Sequence, residues 1–178
     1  MNIHIYEKYG NFENLLKYSM KNSTIEIRWT IRFLLLVLAW AIGEKYFGLH
    51  DIYIKDYAIY SSLFAFPAIL FYYLALKDKK KYFYNGEMTF SQGFVSSVIL
   101  SFLIAILMPA AQFVIYKSIS PDFFTTMIDY KVKNKYLSLE TAKTFFNLKT
   151  YMIEGAFGAL SKGIVTGTII SYFIGTKK

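Results

Sequence analysis

The chain has 178 residues, of which 55% are hydrophobic and 20% aromatic; only 18% are charged, where soluble domains carry about 25%. It contains no cysteine, which excludes disulfides, a thiol nucleophile and Cys-ligated zinc. The net charge of +8 comes from Lys and Arg placed beside apolar segments rather than along one soluble face, so it points to lipid headgroups and not to nucleic acid.

Residues 1–26 read as a cytoplasmic tail. Within it, Tyr9, Phe12, Leu16 and Met20 recur at helical spacing, with Glu13 and Lys17 elsewhere, which suggests a short amphipathic helix on the membrane surface. The first apolar run begins only near residue 29 and is too long for a signal-peptide core, so it reads as a retained span. Residues 27–178 then form an all-α integral membrane four-helix bundle. Crossing about 30 Å of hydrocarbon takes about 20 apolar residues, and four stretches meet that length: 29–47, 57–76, 93–116 and 151–175. Alternating ten-residue segments of barrel type are absent from the sequence. Pro67 and Pro109 should kink or loosen the second and third spans.

The segment 118–150 between spans three and four should hold short interfacial helices. Ser120-Pro121-Asp122 has the form of a capped helix start, followed by an apolar face of Phe123, Phe124, Met127 and Ile128. A second start lies at Ser138, with Glu140 at the positive helix end and Leu139, Ala142, Phe145 and Phe146 on one face. On the side of the N-terminal tail, the 77–81 loop and the C-terminus there are 11 Lys and Arg; the opposite side has 8, six of them in one long loop. That bias places both termini in the cytoplasm of a cell whose inner membrane holds the protein, bacterial by this reading.

In span four, Gly155, Ala159, Gly163, Gly167, Ser171 and Gly175 recur every four residues, and span three carries Gly93, Ser97, Ser101 and Ala105. Small-residue rows let helices approach closely in lipid. They pack these spans together, form an oligomer interface, or bring backbone close to a lipid or substrate. Beside the row, Glu154 lies about one turn inside the boundary and Lys162 near the midplane, about 12 Å further along the axis. A Lys at that depth costs roughly 2.5–3.5 kcal/mol and calls for a partner or a wet cavity; Gln112, Glu44, water or carbonyls could complete a link to Glu154. The alternative is a snorkelling Lys held by carbonyls. Arg28 and Arg32 share a face and either grip a lipid phosphate or anchor the span beside Trp29. His4 and His50 have no metal-ligand spacing, and the sequence carries no catalytic or cofactor motif.

Trp40 to Gly43, Tyr84-Asn85-Gly86-Glu87-Met88-Thr89-Phe90 leading into Gln92-Gly93-Phe94, Pro121-Asp122-Phe123 and the Glu154-to-Gly167 span resemble an uncharacterised bacterial family of four-span membrane proteins, a domain of unknown function. The resemblance covers nearly the whole chain beyond the tail and implies a four-helix membrane fold with no established activity. Lys162 stands where such proteins would have an apolar or small residue. Three readings follow: a non-enzymatic accessory or scaffold protein that binds a membrane partner or itself; a small oligomeric transporter or lipid-binding, flippase-like protein using Lys162 and Glu154; and an intramembrane enzyme acting on a lipid-linked substrate.

Overall fold

The computed structural model of the protein describes the backbone of residues 12–176 and the side chains of residues 23–176. Among these residues the chain is helical and without strands, a helical bundle. Helix α1 (Phe12–Tyr46) runs unbroken for 35 residues, through the expected tail boundary at residue 26. A separate surface helix over Tyr9–Met20 is therefore replaced, from Phe12 onward, by continuous helix; Tyr9 and the side chains of that face lie outside the described residues.

After α1 the chain reverses at Gly48, whose φ of +73° suits a residue without Cβ, and its carbonyl accepts from Tyr53 N–H at 2.8 Å. A 3₁₀ turn (Ile54–Asp56) leads into α2 (Tyr57–Ser62) and, past a break, α3 (Ala65–Tyr82). Pro67 has no N–H, and its ring crowds the carbonyl four residues before it. There the bonds tighten to the i→i−3 pattern, with Leu63 N–H to Tyr60 O and Phe66 N–H to Leu63 O, both 3.1 Å. The second span is thus a broken helix.

Helix α4 (Phe90–Val114) starts three residues ahead of the hydropathy boundary because Thr89 and Gln92 form a reciprocal capping box, a signature of a helix start. It continues through Pro109 and loosens later, into a π turn at Ile115–Ile119. Ser120 N–H reaches back to Ile115 O at 2.7 Å. Helix α5 (Phe123–Lys133) follows, but Ser120 does not cap it: Asp122 holds the cap position without a side-chain bond, and the Ser120 hydroxyl is turned inward. Helix α6 (Leu139–Phe145) is capped by Ser138, which accepts from Thr141 N–H at 3.2 Å. Leu139 and Phe145 are exposed, and of the expected face only Ala142 is fully buried. Asn147 caps α7 (Leu148–Ile174).

Helices α4 and α7 pack most extensively, antiparallel, with their small residues facing one another. A Cβ built on Gly93 would lie 2.9 Å from Ser171 Oγ; on Gly167, 2.5 Å from Ser97 Oγ; on Gly163, 2.5 Å from Ser101 Oγ. At the outer end of the row Gly155 meets Gln112 Nε2 and Met108. Below these contacts Tyr72 of α3 hydrogen-bonds Ser101 at 2.9 Å.

One end of the bundle is tied by charge. Lys79 pairs with Glu26 at 2.9 Å, both side chains 3% exposed. Ser96 donates to Glu26 at 2.5 Å, Trp29 to Asp78 at 3.0 Å, and Lys80 to the Ile174 carbonyl at 2.7 Å. We call this the basic end, and the opposite one, with residues 47–56 and 118–147, the loop end. Among the described residues three helical segments are long and apolar enough to cross a membrane: Ile54–Tyr82, Phe90–Ile119 and Leu148–Ile174. In α1, charges at Glu26, Arg28, Arg32, Glu44 and Lys45 leave an uncharged run of 11 residues, Phe33–Gly43.

Candidate functional site

A cavity of about 490 Å³ opens between α1, the broken α2–α3 span and α7, with α4 as its floor. Its walls are mostly apolar: Phe33, Val37, Phe64, Ile69, Ile104 and Met108 among them. Into this setting the fold brings Glu44, Gln112, Glu154 and Lys162, the four polar residues singled out above, from three different helices. His50, Tyr57, Tyr72 and Tyr116 add further polar groups, with Ser61, Ser62 and Thr166.

Glu44 is the most firmly held. It sits in the last turn of α1, 7% exposed, where Trp40 Nε1–H, one helical turn earlier, donates to Oε1 at 2.9 Å. His50 Nε2 meets Oε2 at 3.2 Å, and His50 Nδ1 meets Ser120 Oγ at 2.5 Å. In neutral His50, Nε2–H donates to the carboxylate and the Ser120 hydroxyl donates to Nδ1. The order Ser–His–Glu resembles a nucleophile relay, but Ser120 is 1% exposed and does not line the cavity. The relay ties the 47–53 turn and the end of the π turn to α1.

Around it stand aromatic rings from four elements. Phe123 lies 5.2 Å from His50 and 4.9 Å from Tyr57, and Tyr151 lies 5.3 Å from Tyr116. The π turn positions Tyr116 here, consistent with irregular backbone at membrane depth being tolerated where it lines a cavity.

Glu154 and Lys162 are different. Both are exposed to the cavity side of α7, and neither side chain has an ion pair or hydrogen bond to another described residue. The structure therefore does not complete the link from Lys162 to Glu154 through Glu44, which is engaged by Trp40 and His50. Gln112 packs against Gly155, and its Oε1 is buried without a hydrogen-bond partner. Arg28 and Arg32 stay outside the cavity, exposed, with Arg32 stacked over Trp29 at 4.9 Å. Outside the spans, a hydrogen bond from Lys45 and the Ile52 N–H hold the Asp51 carboxyl below its usual range. Among the described residues no group of three or more His, Asp and Glu could hold a metal ion.

The residue that sequence reasoning missed is His50. It lies in a turn, yet is 2% exposed. The available signal was the brevity of that turn between two spans, which folds its tip back onto the helix ends. Tyr72 was missed too; its one sequence cue is a hydroxyl at mid-span, which needs a partner in lipid.

A model of a protein family of unknown function, DUF4199, matches residues 28–176. The chain belongs to the DUF4199 family. The match covers α1 from Arg28 onward, every later helix and every residue of the cavity wall, and ends at the basic end beyond α7. No curated protein and no solved structure matches the chain.

Proposed function

We propose that this DUF4199 member is a membrane-embedded binding protein that takes a small amphiphile into the cavity between α1, α2–α3 and α7. The observation carrying this reading is the gathering of Glu44, Gln112, Glu154 and Lys162 on one cavity. Ionisable groups at membrane depth face interiors or wet cavities and mark pathways and sites, and a cavity of this size falls within the range of small-molecule sites. The small-residue rows, which also suit a scaffold that binds other membrane proteins, are occupied here by α4 against α7, so they no longer favour that reading over ligand binding.

In this proposal α1 is a fourth span. At about 1.5 Å per residue its 35 residues exceed the thickness of a bilayer, and of its described side chains Glu26 is paired with Lys79 and Glu44 is hydrogen-bonded by Trp40 and His50. Both termini then lie on the cytoplasmic side of a bacterial inner membrane. The test is native mass spectrometry of protein extracted gently from its own membrane. A bound amphiphile lost in Lys162→Met and Glu154→Gln supports the reading; a stoichiometric second protein with no small molecule replaces it with the scaffold.

A further inference from the structure

We infer that the cavity selects a monocationic ammonium group at its loop end, an inference that rests on the amphiphile-binding reading above. The charges lining the cavity are Glu44, Glu154 and Lys162, with His50 beside them. Both ring nitrogens of His50 are engaged, by Glu44 and Ser120, so His50 has no free nitrogen for an incoming group. Glu154 has no partner at all among the described side chains. A carboxylate one turn inside a membrane needs a counter-charge, and Lys162, about 12 Å further along the helix, does not supply one.

Near these carboxylates the lining includes three aromatic side chains, Trp40, Tyr57 and Tyr116, beside Gln112 and Ile115. Carboxylates combined with aromatic faces form the usual receptor for an ammonium ion, because the ring quadrupole and the anion attract the same charge. An anion would meet two carboxylates there, and a neutral head would leave Glu154 uncompensated. Lys162 sets the second half of the selectivity. Lining the same cavity, it repels a second positive group on the ligand, which limits the ligand to one such charge and leaves its apolar body against Phe33, Ile69 and Met108.

The chain has two tryptophans, so Trp29→Phe leaves Trp40 as a reporter inside the cavity. Hexyltrimethylammonium, hexanoate and hexanol are titrated into this protein in a neutral detergent, and Trp40 emission is followed. The ammonium probe is expected to bind at least about tenfold more tightly than the other two, the scale of one charge-assisted contact. Glu154→Gln should remove that preference while leaving hexanol unchanged; Glu154 has no side-chain partner to lose, so this variant folds. Lys162→Met should raise affinity for hexane diammonium relative to the monocation. Adding phosphatidylethanolamine assigns the source: competition with the probe means a lipid headgroup, and no competition a free amine. If hexanol or hexanoate binds as well as the ammonium, the cation inference fails and the amphiphile reading stands. If none of the three perturbs Trp40, both fail.

Discussion

Replacing Gly163 by Ala adds one methyl group at the most closely approached of the described glycines. The new Cβ would fall 2.5 Å from Ser101 Oγ and closer still to the Tyr72 hydroxyl, two groups that hydrogen-bond each other at 2.9 Å. Overpacking of a close-packed site costs about 1–3 kcal/mol, and losing the Tyr72–Ser101 bond adds about 1 kcal/mol. Exchanging Gly for Ala in a helix returns up to about 1 kcal/mol. The net loss is about 1–3 kcal/mol. Gly158, on the same helix, has nothing within 4 Å of its would-be Cβ, so Gly158→Ala keeps only the helix gain. At roughly 2–4 °C per kcal/mol for a chain of this size, Gly163→Ala should melt at least several degrees below Gly158→Ala, followed by circular dichroism in one detergent. Adding Tyr72→Phe removes the nearest obstructing atom and should recover about half the loss. Equal melting of the two alanine variants, or no recovery with Tyr72→Phe, would refute the close approach of α3, α4 and α7 described here.

The buried Glu26–Lys79 pair gives a second test: Lys79→Met alone leaves a buried carboxylate and should cost about 3–5 kcal/mol, while Glu26→Gln with Lys79→Met should recover much of it, read as a thermal double-mutant cycle. His50→Ala removes both bonds of the relay at the loop end and should expose the 47–53 turn, seen as faster amide exchange there with the basic end unchanged. For Asp51, whose folded pKa is lowered, the Lys45 contact stabilises above the ordinary carboxylate pKa and is lost as pH falls through the folded value. The Asp51 side chain is 42% exposed, so solvent screens the pair, and Asp51→Asn should lower stability at pH 7 by no more than about 1 kcal/mol and flatten its dependence on acid. The absence of cysteine makes Lys81→Cys and Lys135→Cys clean labelling sites; the proposed orientation expects an impermeant thiol reagent added outside cells to reach position 135 only.

Two sequence patterns recur in three dimensions: segment length against bilayer thickness, for the second, third and fourth of the four expected spans, and small residues every four positions, which face one another across α4 and α7. Local chemistry was readable where nothing competed with it, as at Ser138, whose side chain caps α6. It misled at Ser120, where an equally good cap signal yields to a buried histidine 70 positions earlier in the chain, a partner no local pattern can show. The gathering of Glu44, Gln112, Glu154 and Lys162 on one cavity depends on how helices rotate about their axes, and the sequence told only that each was polar at membrane depth. The break ahead of Pro67 was foreseeable from the proline. The π turn at Ile115 was not, because it follows Pro109 by more than a helical turn and carries no breaker of its own.

The close fit of α4 on α7 has a bearing on how the cavity could fill. The seam between these two helices, built from glycine and serine, has no long side chains to swing aside, so the pair holds its relative position. The facing side is built differently: α1 carries bulky side chains, and the span opposite is interrupted between Ser62 and Ala65. Widening to admit a guest is therefore expected at the interrupted span, around residues 62–65, rather than between α4 and α7.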